Sequence, residues 1–277
     1  MPKTCFNQLF FCFILLAAIT LFAACRGPDS RSGLILAGST SVQPFAEKLA
    51  EHYMKTAPPD AIINVQGGGS SAGIQAVRSG AAQAGMSSRE LADEEKDLRP
   101  ITIALDAIAV IVHPHNPIVN LDLKDLRAIY SGRITNWKVL GGDDHRIHCF
   151  TREEGSGTRE AFEKKVMGHD LISLENLVQD SNGAVLELVA QDSHAIGYIS
   201  FGIVNTRVKA VAIDNIAPTE ENFVGKRYKL IRPFLFVFRE EPTGLSKSFV
   251  DYVLGEEGQH LLKLEGLIPV KALKAYK

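Results

Sequence analysis

The sequence predicts an α/β protein folded into two lobes with a ligand cleft between them. Three observations lead there. Short β-rich runs alternate with amphipathic helical stretches, strand-to-helix turns are crowded with Gly, Ser and Thr, and 277 residues exceed the usual size of one core. Hydrophobic residues at 45% and charged residues at 22% are ordinary for a globular chain, which excludes wholesale disorder and a multi-span membrane protein. The net charge of −2 offers no basic excess for nucleic acid, so a bound anion must be held by local geometry.

The first residues form a separate segment. Lys3 precedes an apolar run from Leu9 to Ala24, too short for a typical membrane span and suited to a secretory signal. The run ends in Leu21-Phe22-Ala23-Ala24-Cys25, which resembles the bacterial lipoprotein processing site. The resemblance implies a signal peptide over 1–24 and a short tether over 25–32 lipidated at Cys25. It also implies an exported protein, in the periplasm or at the cell surface, anchored to a membrane. Cys5 and Cys12 fall in the signal, so Cys149 is the one further thiol and no disulfide can form inside the mature body. Its setting, Arg146-Ile147-His148-Cys149-Phe150, reads as a buried strand.

The body then follows in order. Leu34 to Ala37 reads as a strand, and Val42, Phe45, Leu49 and Tyr53 mark one face of the next helix. Ile62 to Gln66 is a second strand, and Ile74 with Val77 begins a second helix. Ile101 to Leu105 and Ala107 to Val112 read as separate strands. Further strands are expected at Ile147 to Phe150, Ala195 to Ile199, Val208 to Ile213 and Leu235 to Phe238. Such alternation predicts largely parallel sheets. Prolines in His113-Pro114-His115-Asn116-Pro117 suggest a lobe change, and a return crossing fits Ile213 to Pro218. The expected lobes are 33–112 plus 215–277, and 113–214.

The chemistry lies at three loop-to-helix junctions: Gly38-Ser39-Thr40-Ser41, Gly67-Gly68-Gly69-Ser70-Ser71-Ala72-Gly73, and Arg152-Glu153-Glu154-Gly155-Ser156-Gly157-Thr158. A helix start carries unpaired N–H groups and the positive end of the dipole. Glycines let a ligand approach the backbone, hydroxyls add donors, and the combination suits a tetrahedral oxyanion. Each junction alone also fits ordinary helix capping; three in one α/β chain are harder to dismiss. No Gly-Lys-Ser/Thr of a nucleotide-type phosphate loop follows any of them, and the dinucleotide fingerprint is missing. Arg152 can reach around its loop to the same ligand, because a guanidinium pairs bidentately with phosphate-like oxygens. Arg89, in Gly85-Met86-Ser87-Ser88-Arg89-Glu90, is a second candidate cation.

These motifs, together with Ile129-Tyr130-Ser131-Gly132-Arg133-Ile134-Thr135-Asn136-Trp137 and Ala195-Ile196-Gly197-Tyr198-Ile199-Ser200, resemble the PstS-type phosphate-binding proteins, the extracytoplasmic receptors of ABC phosphate importers. The resemblance runs from about Leu34 to the C-terminus. It implies a two-lobed (type II) periplasmic-binding-protein fold that closes over one inorganic phosphate and docks on membrane permease subunits. The implied contacts are Ser39, Thr40, Ser41, Ser70 or Ser71, Arg152, Ser156, Gly157 and Thr158, with Ser88 and Arg89 beside them. Some members place an aspartate where Ser88 stands, to accept the proton of hydrogen phosphate. Discrimination against sulfate or arsenate therefore rests on the resemblance alone.

The remaining candidates are weaker. His113 and His115 flank a proline but have no third ligand nearby, so no metal is expected. No cofactor is expected either, and the receptor is expected to act as a monomer. Asp143-Asp144-His145 reads as a polar turn, Trp137 as a packing anchor, and Lys271, Lys274 and Lys277 as a solvated face. The alternative from another class is a secreted serine hydrolase or phosphatase using Ser70, Ser71 or Ser156. It lacks a histidine paired in sequence with these serines, no Gly-x-Ser-x-Gly nucleophile elbow is read in the chain, and Gly155-Ser156-Gly157-Thr158 lacks the elbow's final glycine.

Overall fold

The structure, a computed structural model, describes residues 33–271. The expected signal, Cys25, Lys274 and Lys277 lie outside the described residues, and no described helix is long and apolar enough to cross a membrane.

The first half of the body is built around strands β1 (Gly33–Gly38), β2 (Ile62–Gly67) and β3 (Ala84–Ser87), with β1 parallel to both neighbours. Helix α1 (Gln43–Thr56) joins β1 to β2 and buries Phe45, Ala46, Leu49 and Ala50, the face that the spacing predicts. Helix α2 (Ser70–Ser79) joins β2 to β3 and buries Ile74 and Val77. Gly73 lets it lie directly on β1: a Cβ there would stand 2.3 Å from the Ala37 carbonyl oxygen.

The expected pair of strands at 101–105 and 107–112 is one continuous strand, β4 (Arg99–Val112). Asp106 does not interrupt it, because Arg232 stands opposite in register and neutralises the buried carboxylate. After β5 (Asn120–Leu121) and α3 (Leu123–Tyr130), the second half continues through β6 (His148–Arg152), α4 (Gly157–Phe162), β7 (Leu177–Gln179), α5 (Asn182–Gln191) and β8 (Ala195–Ser200). The stretch expected as one strand over 208–213 is two short pieces, β9 (Lys209–Ala210) and β10 (Ala212–Ile213), which pair with different partners, β4 and β5. Helix α6 (Glu220–Val224) leads to β11 (Ile231–Phe238), and α7 (Gly244–Leu254), α8 (Glu256–Leu264) and β12 (Ile268–Pro269) complete the described chain.

The main sheet runs β2-β1-β3-β11-β4-β8-β6-β7. Its two ends are parallel, as expected. Its middle is not: β11 is antiparallel to β3 and β4, and β4 to β8. The reason is the return of the chain, since β11 enters the sheet from the C-terminal side between strands laid down earlier. One buried cluster gathers Leu36, Phe45, Leu49, Ile103, Phe234, Phe236 and Phe249 around the first half. Another gathers Tyr130, Trp137, Phe162, Tyr198, Phe223, Tyr228 and Leu230 around the second. The strands β4 and β11 contribute to both sides, and the architecture is the two-lobed α/β fold that the sequence predicts.

Candidate functional site

The parallel ends of the sheet place four strand-to-helix turns toward one another. Sheet geometry explains this: parallel strands in open α/β sheets end on one side, where the helices begin and ligand crevices form. From the first half come Ser39, Thr40 and Ser41 after β1, Ser70 and Ser71 at the start of α2, and Ser88 after β3. From the second half come Arg152 at the end of β6 and Ser156, Gly157 and Thr158 at the start of α4.

These tips touch. Ser41 Oγ lies 2.7 Å from Thr158 Oγ1, and the Ser71 amide donates to the Gly155 carbonyl at 3.1 Å. Ser88 N donates to Ser70 Oγ at 3.1 Å, and the two hydroxyls stand 3.5 Å apart. The approach is so close at Gly157 that a Cβ there would lie 2.3 Å from Ser70 Oγ and 2.8 Å from Ser88 Oγ. Ser39, Ser41, Ser70, Ser88, Ser156 and Thr158 are all buried.

Helix capping separates the junctions. Ser156 Oγ accepts from Arg159 N at 3.3 Å and caps α4 itself, leaving its O–H to donate elsewhere. Helices α1 and α2 have no side-chain cap on their first N–H groups. Ser39 Oγ instead accepts from Ser41 N at 3.2 Å, which shapes the turn ahead of α1.

The two candidate arginines have different surroundings. Arg152 is 1% exposed. Its Nε and Nη2 donate to the Glu153 carboxylate at 2.8 Å each, and Nη2 also reaches Thr40 Oγ1 at 3.1 Å. The carbonyls of Gln179 and Asp180 complete that edge, while Nη1 is buried with no hydrogen-bond partner among the described residues. Arg89 reaches the edge of the cluster through Ser71 Oγ at 3.2 Å. Its other contacts are a forked pair with Glu95 at 2.6 and 2.9 Å, a hydrogen bond from Nη1 to the Glu90 carbonyl at 2.9 Å, and an ion pair from Nε to Glu160 at 2.6 Å. The expected ligand cation at this position is therefore committed to two carboxylates, one from each half of the fold. The hydrogen bonds from Arg89 hold the Glu95 carboxyl below its ordinary range against the opposing effect of burial.

One site residue escaped sequence reading. Asn182 Nδ2 donates to Ser41 Oγ at 2.7 Å and lies 3.4 Å from Thr158 Oγ1 and 3.5 Å from Thr40 Oγ1. It joins hydroxyls from both halves. The available signal was a further junction, Asp180-Ser181-Asn182-Gly183, between β7 and the helical face of Val185, Leu186 and Val189; Ser181 caps that helix.

The remaining features have packing roles. Trp137 is buried and its Nε1 donates to the His194 carbonyl at 2.8 Å, and Cys149 sits inside β6 with its thiol pushed up by burial. Asp144 pairs with Lys138 at 2.8 Å. The rings of His113 and His115 meet edge-on at 4.9 Å. Gly69-Ser70-Ser71-Ala72-Gly73 does have the Gly-x-Ser-x-Gly spacing of a nucleophile elbow, centred on Ser71. Ser71 Oγ accepts from Arg89, and no imidazole is a hydrogen-bond partner of Ser70, Ser71 or Ser156 among the described residues. The arrangement gathers hydrogen-bond donors and places no hydrogen-bonded base on Ser70, Ser71 or Ser156 among the described residues.

Comparison with known proteins identifies the family. The PBP superfamily domain matches residues 26–257. The phosphate-binding protein PstS of Bacillus subtilis is 32% identical, the alignment covering 97% of this chain and 96% of that one. A putative phosphate ABC transporter substrate-binding protein from Clostridium perfringens, solved with bound phosphate, superposes with a TM-score of 0.83 at 43% identity, over 86% of this chain and 99% of that one. An ABC-type phosphate transport receptor from Vibrio cholerae gives a TM-score of 0.70 at 36% identity, again over 86% and 99%. The chain belongs to the PBP superfamily and, within it, to the PstS phosphate-binding proteins.

Proposed function

We propose that this chain is an extracytoplasmic receptor that captures inorganic phosphate between its lobes and delivers it to an ABC importer. It is a binding protein and not an enzyme. The observation that carries the reading is the convergence of hydroxyl and amide tips from both lobes around Arg152, whose buried Nη1 has no hydrogen-bond partner among the described residues. A buried donor left unsatisfied costs about 1–3 kcal/mol, and an anion oxygen removes that penalty. Ser39, Thr40, Ser41, Ser70, Ser71, Ser88, Arg152, Ser156, Gly157 and Thr158 form the proposed ligand set. Arg89 bridges the lobes through Glu95 and Glu160 in place of touching the anion. The lobes expected from the sequence are 33–112 plus 215–277, and 113–214. Because Ile108, Val110, Val112, Phe223, Tyr228 and Leu230 pack in the second cluster, the proposed change-over moves inward to Asp106 and Arg232, paired on β4 and β11.

Phosphate replaces water on these donors and links the two sets of tips. Closure is favoured only by as much as the ligand prefers the closed arrangement. The joined surface then docks on the permease subunits, with a monomeric receptor tethered to the membrane through lipid on Cys25. Titration calorimetry of the mature body with phosphate and with sulfate tests the reading. One tight phosphate site per chain is expected; absence of phosphate binding would remove the function, and equal sulfate affinity would make the protein a general oxyanion receptor. Cys25→Ser is expected to release the protein from membranes, and unchanged retention would exclude the lipid anchor.

A further inference from the structure

Arg232 stands out on chemical grounds. It is the one charged residue of β11, Ile231–Phe238, a strand otherwise made of apolar side chains, and it is 2% exposed. Its Nε donates to Asp106 Oδ2 at 3.0 Å, and Nη2 lies 2.9 Å from the same oxygen. Asp106 Oδ1 is taken by Ser200 Oγ at 2.8 Å. One edge of the guanidinium thus faces Asp106, while Nη1, on the other side, is buried without a hydrogen-bond partner among the described residues. An apolar pair of similar volume would hold two crossing strands at least as well as this buried ion pair. Strand pairing alone therefore does not account for Arg232.

A hydrogen-bonded path leads from this pair to the anion site. Ser200 N donates to Asn182 Oδ1 at 3.1 Å, and Asn182 Nδ2 donates to Ser41 Oγ at 2.7 Å, beside Thr158. The electrostatics agree with that placement. Burial lowers the pKa of Arg232, Asp106 opposes the change, and the positive charge of Arg152 adds to the lowering. Arg232 also lines a cavity of about 250 Å³ between the lobes, together with Arg89, Glu160 and Ala161 of α4, the helix whose first turn carries Gly157 and Thr158.

We propose that Arg232 is a second guanidinium of the anion site, its free Nη1 edge facing the same tetrahedral oxyanion as Nη1 of Arg152 while Asp106 and Ser200 hold it in orientation. The proposal rests on the phosphate-receptor reading and deepens it. Each guanidinium has one carboxylate partner, so neither leaves a bare charge, and each keeps donors for the ligand. Both Asp106 oxygens are occupied by protein donors, which makes this carboxylate a positioning group for Arg232.

The test is titration calorimetry with inorganic phosphate on the wild-type mature body, on Arg232→Lys, and on the double variant Asp106→Asn/Arg232→Gln, with thermal melts of each. Arg232→Lys keeps the charge beside Asp106 and removes the planar fork; the double variant removes both charges together. Both are expected to melt near the wild-type temperature and to bind phosphate about 10- to 100-fold more weakly, the range for a hydrogen bond to a charged group. The ³¹P resonance of bound phosphate is expected to move in Arg232→Lys, a change that a purely structural residue would not produce. Wild-type affinity and an unmoved resonance in either folded variant would overturn the proposal. So would failure of both variants to fold, which would assign the pair to the scaffold. If the wild-type body binds no phosphate, the receptor reading falls and this proposal with it; wild-type binding with unaffected variants removes the Arg232 role alone.

Discussion

Arg152 and Arg89 make an instructive pair. Both are buried, both stand at or just past the end of a strand, and both hydrogen-bond a hydroxyl from another segment. Around Arg89, two carboxylates meet the guanidinium, and Glu160 comes from the opposite half of the fold. Around Arg152, one carboxylate and two carbonyls take one edge and leave Nη1 without a partner. Burial and position therefore do not by themselves separate the roles proposed for the two arginines. What differs is the charge each guanidinium meets: two carboxylates at Arg89 and one at Arg152.

Substitutions can break this contrast. Arg152→Ala is expected to have the largest effect, weakening phosphate binding about 100- to 1,000-fold, the range for truncating a buried hydrogen-bonded charge. Arg89→Gln is expected to change affinity far less and to lower the melting temperature more. Calorimetry and melts on the two variants decide the matter, and equal affinity losses would erase the distinction. Gly157→Ala comes next, because its Cβ would collide with Ser70 and Ser88 across the cleft. A loss of about 10- to 100-fold is expected from the crowding, read by the same titration. Asn182→Ala removes the amide that joins Ser41 to Thr158 and is expected to cost about 10-fold, near the middle of the range for a buried hydrogen-bonding group.

The smallest effect sharpens the Arg89 side through pH. Arg89 holds the Glu95 carboxyl below its ordinary value of 4.5, so the ionised form favours the folded state. That contribution is complete above pH 4.5 and is lost as pH falls through the lowered value in the folded protein. Glu95→Gln is expected to lower the melting temperature at neutral pH by about 3–5 °C, equivalent to 1–2 kcal/mol in a domain of this size. The gap between variant and wild type should close in acid. A gap that persists below the titration would place the stabilisation elsewhere.

Ser88 links the first comparison to selectivity. It is buried against Ser70, at the place where some relatives of this family carry an aspartate. Ser88→Asp is expected to weaken sulfate binding more than phosphate binding, because a carboxylate repels an ion that has no proton to share. Paired titrations with the two anions measure the ratio.

Sequence by itself determined the alternation of strands and helices, the buried face of α1, and four of the five turns that meet at the site. These features depend on near neighbours: apolar spacing, glycine freedom and the hydroxyls that favour helix starts. The tertiary structure decided what depends on distant partners. It inserted β11 antiparallel into the middle of the sheet, brought Asn182 to hydroxyls of both halves, and set Arg232 opposite Asp106, 126 residues away. It also set two carboxylates around Arg89 and one beside Arg152, because ion pairing and hydrogen bonding are settled by the groups that folding brings together.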